Sequence, residues 1–241
     1  MGSAEVAGLA VAAAGAWLWW RGRRRYAIRT TPDRPQSFGY KSTWIAVEAA
    51  TTNEVVIAIC ASHPGARRVA SSNWESGLHR TLGRFRSREV FATPPVHGWV
   101  LVVGYHGAGE DLASLRELQE LSATLDREVL YFGSHRGVSY VHWVIADRGT
   151  LRRAYAHVDG TTFYDVGTPP PHEAVLDLVG SLPERGADDR DPEPDEGELR
   201  LPDESTVVHL AGAWSVDPTK LDAIEEVSVG VLVRMPRSRR P

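Results

Sequence analysis

Apolar residues crowd most densely into positions 89–105, EVFATPPVHGWVLVVGY. The second half, Trp99-Val100-Leu101-Val102-Val103-Gly104, has almost no polar residue. Strict alternation would mark a strand with one wet face, whereas an unbroken β-branched run marks a strand covered on both faces. Pro94-Pro95 cannot lie inside a central ladder, because proline offers no N–H. The pattern therefore predicts two strand pieces, Val90-Phe91-Ala92 and residues 99–103, joined by a rigid bend. It makes the second piece the central strand of the fold.

The rest of the chain alternates between period-2 and helical spacing. Residues 42–48 (STWIAVE) read as a first strand with Trp44 buried. Thr51-Thr52-Asn53 offers N-caps for a helix through Cys60, with Val55, Val56 and Ile59 on one face and Pro64-Gly65 ending it. Ser72 and Glu75 have capping-box spacing for a second helix. Residues 107–110 read as a turn. Leu112, Leu115, Leu118, Leu121 and Leu125 recur at helical spacing across residues 111–125, a stripe expected to face the core. Strands follow at 128–132, 139–146 and 151–158, with Asp147-Arg148-Gly149 joining the last two as a hairpin, and 161–166 forms an edge strand. Pro169-Pro170-Pro171 ends that run, and residues 172–182 read as a helix. Residues 203–214 return to helical spacing, Asp217-Pro218 opens a short helix, and 227–233 reads as a last strand. Adjacent strands without helices between them imply an α+β fold, a mainly antiparallel sheet flanked by helices. No internal repeat is present.

Charge and composition change this picture at the flanks. Residues 6–20 are uncharged and Ala-rich, end in Trp17, Trp19 and Trp20, and are followed by Arg21, Arg23, Arg24 and Arg25. Such a run spans roughly 22 Å as a helix, short of the ~30 Å hydrocarbon core unless flanking residues extend it. A basic cluster after the apolar run is the wrong order for a cleavable signal peptide and the right one for a single-pass anchor in the inner (plasma) membrane. By the positive-inside rule, the bulk of the chain then stays cytoplasmic. The expected layout is a transmembrane helix with its basic stop over 1–25, a linker over 26–41, the α+β domain over 42–182, and an acidic disordered loop over 183–202. Residues 203–233 complete the domain, and a basic tail occupies 234–241. A net charge of −4 over 241 residues gives no broad electrostatic case for nucleic acid. Cys60 is the single cysteine, which rules out an internal disulfide and a cysteine-built zinc site.

The chemistry-bearing motifs are sparse. H-E-x-x-H, G-x-S-x-G, the phosphate-binding G-x-x-x-x-G-K-[ST] and G-x-G-x-x-G are all absent. The best local cluster is the 139–158 hairpin, which admits two registers. A two-residue loop at Arg148-Gly149 sets His142 opposite Tyr155 and puts Tyr140, His142, Arg153, Tyr155 and His157 on one face. A bulge at Gly149 shifts the strands by one residue and mixes the sets. The first separates apolar from polar residues better and is the expected one. Around it, His135-Arg136 at a strand turn suits anion binding or proton transfer, though a solvated turn is the plainer reading. His97 before Gly98-Trp99 has the same status. Asn73-Trp74-Glu75 presents an amide and a carboxylate at a helix start, which capping explains equally well. His135 and His142 offer two metal ligands with no third. Trp44, Trp74, Trp99, Trp143 and Trp214 fall in different elements, the usual signature of one core in which each indole N–H finds a local partner. The candidate binding residues are thus Asn73, Trp74, Glu75, His97, Trp99, His135, Arg136, Tyr140, His142, Tyr155 and His157, with no cofactor and no metal expected.

Together, STWIAVEA, SNWESGL, VFATPPVHGWVLVVG, EVLYFGSHRGVSYVHW, RAYAHVDG and VHLAGAWSVDPTKLD resemble a family of uncharacterised bacterial proteins, across roughly residues 42–222. The resemblance implies one recurrent domain, known as a stand-alone cytosolic unit, and carries no activity or catalytic residue. The membrane-like leader departs from that pattern. The functional expectation is a non-enzymatic interaction module with a protein partner, toxin-neutralising or regulatory, held at the cytoplasmic face of a membrane. The alternative is a hydrolase or transferase using His135, His142 or Glu75 in a cleft near Trp99.

Overall fold

The structure, a computed structural model, describes residues 27–48, 51–83, 87–105, 112–176, 178 and 201–236. The expected anchor over 1–25, the turn at 107–110, the loop through residue 200 and the last five residues of the tail lie outside the described residues. Among the described residues no helix is long and apolar enough to cross a membrane.

The elements in chain order are β1 (Thr43–Glu48), α1 (Thr52–Ser62), β2 (Arg67–Ser72), α2 (Trp74–Leu82), β3 (Glu89–Ala92), β4 (Trp99–Val103), α3 (Leu112–Leu125), β5 (Glu128–His135), β6 (Tyr140–Asp147), β7 (Thr150–Val158), β8 (Thr161–Val166), α4 (Pro171–Ala174), α5 (Glu204–Trp214) and β9 (Gly230–Arg234). Two short 3-10 stretches lie at Arg136–Val138 and Pro218–Ala223. The strands form one sheet in the order β2-β9-β3-β4-β1-β5-β6-β7-β8, with every neighbouring pair antiparallel. The α+β reading holds in this form.

The continuous Val-Leu run behaves as its pattern requires. Val100 and Val102 enter a core shared with Val55, Ile59, Leu115, Leu118 and Leu121 of α1 and α3. Leu101 and Val103 enter a second core on the opposite face, with Trp74 and Leu78 of α2 and Val207 and Leu210 of α5. Helices therefore cover both faces of the sheet. The middle of the nine strands is β1 rather than β4, because β1 pairs with both β4 and β5. All five tryptophans of the folded part pack on the second face. Trp74 follows the expected pairing, its Nε1 donating to Ser228 Oγ at 3.3 Å. The indole N–H groups of Trp44, Trp143 and Trp214 have no partner among the described residues. Burial of ring area outweighs that loss, since a buried indole removes far more apolar surface than its single N–H costs.

Local chemistry accounts for the helix starts. Thr51 and Glu54 form a reciprocal capping box at α1, worth about 1 kcal/mol. At α2 the cap is Asn73, whose Oδ1 accepts from Ser76 N–H at 3.1 Å, and not the expected Ser72, which ends β2. Gly77 lets α2 lie on the sheet: a Cβ there would sit 2.5 Å from the Phe91 ring. The helix expected at 172–182 begins at Pro171 and ends after one turn at Ala174, with Val175 as its C-cap. Residues 27–41 form no regular element, yet they are bound to the body. Trp74 and Glu75 N–H donate to the Asp33 carboxylate, Phe38 N–H donates to Pro218 O, and Asp33 bridges Ser228.

Candidate functional site

The β6–β7 hairpin turns through Arg148 (φ 45) and Gly149 (φ 84), a two-residue connection as expected. The expected register holds only next to the turn, where Asp147 pairs with Thr150 and Ala146 with Leu151. From Ile145, which pairs with Arg153, to Val141, which pairs with His157, the strands take the alternative register, shifted by one residue, and the extra residue is Arg152 in β7, not Gly149. A bulge of this kind reverses every face assignment beyond it. The expected polar face is thereby divided. Tyr140 and His142 lie on the α1/α3 side, whereas Arg153, Tyr155 and His157 lie on the other side with Val141, Trp143 and Ile145.

On the α1/α3 side His142 is fully buried between two tyrosines. Tyr140 Oη meets Nδ1 at 2.9 Å and Tyr164 Oη meets Nε2 at 2.5 Å, while Tyr131 packs against the ring at 4.7 Å. Burial pushes the imidazole down to about 3, so it is neutral, with one ring nitrogen donating and the other accepting. Tyr164 reaches this place because β8 carries its own bulge. Thr162 pairs with His157 and Tyr164 with Ala156, leaving Phe163 as the extra residue and bringing its ring to the same side as Tyr164.

On the other side Trp143 stacks on Tyr155 at 4.4 Å, and Tyr155 on His157 at 6.5 Å. Arg153, only 1% exposed, sends its guanidinium to Glu173 of α4, to Asp165 of β8 and to the carbonyls of Val166 and Gly167. Burial opposes the charge, but the hydrogen bonds to Glu173 and Asp165 outweigh it and hold Arg153 in its cationic form. A buried cation demands such partners. Glu173, 4% exposed, thus fastens α4 over the sheet.

The remaining candidates lie elsewhere. Asn73, Trp74 and Glu75 belong to the α2 start, where Asn73 caps, Trp74 is core and Glu75 pairs with Arg29 at 2.5 Å. His97 is an exposed residue of the β3–β4 turn, with φ 49, and Trp99 pairs with Glu48. His135 Nδ1 accepts from Gly137 N–H at 3.2 Å, and Arg136 pairs with Glu204 at 3.1 Å. Glu128 and His135 are the two ends of β5, roughly 24 Å apart at ~3.4 Å per residue, and Trp99 lies toward the Glu128 end. Glu75, His97, His135 and His142 therefore do not meet in one concavity, and the His/Glu cleft expected near Trp99 does not form from them. Among the described residues no three His, Cys, Asp or Glu side chains come together as a metal site.

The His135 end of β5–β8 holds two depressions that share Tyr140. One, of about 380 Å³, lies on the α1/α3 side between Lys41 and Phe163. The other, of about 550 Å³, holds Arg136, His157, Asp159 and Glu204 beside Val141, Leu201 and Pro202. At the opposite end a polar depression of about 570 Å³ contains Glu128 and Asp147. There burial, with the Asp147 and Glu48 carboxylates, pushes Glu128 up against the opposing pull of Arg152 and Arg148. Comparison with protein-family models, with curated proteins and with solved structures finds no match to this chain.

Proposed function

We propose that the protein is an interaction module that docks an extended segment of a partner protein along the open edge of β8. The observation that carries this reading is the character of that edge. Among the described residues β8 is the outermost strand, its sequence TTFYDV holds no lysine, arginine or proline, and Phe163 and Val166 are 66% and 40% exposed. An unpaired edge with exposed apolar side chains is a template for strand addition, in which main-chain hydrogen bonds give affinity and side-chain pockets give choice. The partner segment carries apolar residues against Phe163 and Val166 and no acid opposite Asp165, because Arg153 is shared with Glu173 and leaves one of the two carboxylate charges uncompensated. Its capture would neutralise or regulate the partner by occlusion. The apolar run before Arg21 supports a tether at the cytoplasmic side of a membrane, and no catalytic step is required.

The test is a photo-crosslinking amino acid placed at 163 and, as a control, at 67, in the full-length chain in its own cells. A single partner identified from position 163, lost when Thr161→Pro blocks the edge and absent from position 67, supports the reading. Equal crosslinking from both positions would sink it. The tether is checked separately, by whether the chain resists carbonate extraction from membranes.

A further inference from the structure

The depression on the α1/α3 side has a shape and charge that edge docking does not use. It crosses the sheet rather than running along it, from Thr43 on β1 through Tyr140 on β6 and Ala156 on β7 to Phe163 on β8. Five strands are traversed (β1, β5, β6, β7 and β8), so four spacings of ~4.8 Å make it roughly 19 Å long. Its volume of about 380 Å³ lies within the range of small-molecule sites, and its walls are mostly apolar or aromatic. Gly133 keeps the floor low: a Cβ there would approach the Tyr131 hydroxyl at 3.0 Å and the Tyr140 ring at 3.3 Å. The floor is also rigid and uncharged, because His142 is held between Tyr140 and Tyr164 and is neutral.

Charge is confined to one end. Lys41 and His135 line the groove and no carboxylate does. Glu204, whose carboxylate meets the Lys41 backbone, is already engaged by Arg136, by Ser134 Oγ at 3.2 Å and by the Lys41 N–H at 2.9 Å. That last bond fixes Lys41 in a left-handed conformation (φ 52), uncommon for a residue other than glycine, asparagine or aspartate. No carboxylate among the described residues pairs with its ammonium.

We infer that this groove binds an elongated amphipathic carboxylate of the medium-chain fatty-acid type. The apolar body lies across Tyr140, Tyr164 and Phe163, and the carboxylate meets Lys41. A compact ligand would leave most of the length empty, and a cationic one would face Lys41 with no acid to balance it.

Calorimetric titration of the full chain with decanoate, decanol and decylammonium separates the contributions. The expected order is decanoate tightest, with decylammonium about fivefold weaker, the upper range for one exposed charged contact. Lys41→Glu inverts the order of the two ions, and Lys41→Gln brings decanoate level with decanol; thermal unfolding shows whether each variant folds, and either alone decides the point. Amide shifts induced by decanoate fall at Tyr140, Ala156, Val158 and Tyr164. Equal binding of both ions to the unaltered protein, no binding at about 1 mM, or shifts confined to the opposite face would overturn the proposal. Since Lys41 lies away from β8, failure here leaves the edge-docking reading to its own test.

Discussion

The two edges of the sheet are built from similar parts arranged oppositely. Near β2, a buried carboxylate is held between two cations: Glu89 of β3 accepts from Arg80 of α2 and Arg234 of β9. Near β8, a buried cation is held between two carboxylates, Arg153 with Glu173 and Asp165. Both clusters fasten the outer strands and a covering helix, but they leave different surfaces. β2 presents Arg67 and Arg68 and is followed by the α2 start, to which residues 29–33 are tied. Both edge strands carry an extra residue, Val69 in β2 and Phe163 in β8, so the difference between them is one of charge, and charge on an edge discourages another strand. β8 keeps its charges behind it and presents Phe163 and Val166. One edge is guarded and the other is available, which is why docking is assigned to the second.

The largest expected effect tests the clusters. Arg153→Met leaves Glu173 buried without a cation and should cost about 3–5 kcal/mol in urea unfolding. Glu89→Gln at the other edge should cost less, about 2 kcal/mol, because the glutamine amide oxygen still accepts from the enclosed Arg80 while Arg234, 37% exposed, finds water. Equal losses would show that the two clusters are not the unequal anchors described. Acid sharpens the contrast. Burial pushes Glu89 up, yet the Arg234 and Arg80 hydrogen bonds hold it below 4.5, so its contribution fades as pH falls through the carboxylate range.

Before that range, His142 acts. Its folded value of about 3 lies below its ordinary 6.5, so below pH 6.5 the unfolded chain takes up a proton that the folded one refuses. Stability should drop by about 2 kcal/mol between pH 7 and pH 5, and His142→Gln should flatten that slope. Phe163→Lys gives β8 the guard that β2 has. Monomer stability should change by less than about 0.5 kcal/mol, while crosslinking from neighbouring Thr162 to the partner disappears. The smallest effect is the converse: Arg67→Thr with Arg68→Thr should leave urea unfolding unchanged within about 0.5 kcal/mol, yet introduce concentration-dependent association in sedimentation.

Much of the layout was legible because burial writes itself into the spacing of apolar residues. The dry run Trp99–Val103, the leucine stripe of α3 and the proline after Asp217 were sufficient to place their elements. β2 escaped because RRVASS is an edge strand with no apolar alternation. The division of the hairpin faces escaped because nothing in LRRAY announces an extra residue at Arg152. A further signal is legible in the sequence. Arg153 inside the apolar run RAYAHV requires a buried acid, and Glu173 after three prolines is the carboxylate that meets it. Phe163 and Tyr164 carried no such mark, since only the β8 bulge brings both rings to one side.

Amide hydrogen exchange on the full chain, with and without the partner captured at position 163, tests the edge assignment most directly. Slowed exchange confined to Thr161–Val166, with Arg67–Ser72 unchanged, is the result the account predicts. Protection of β2 with β8 left unaltered would contradict it.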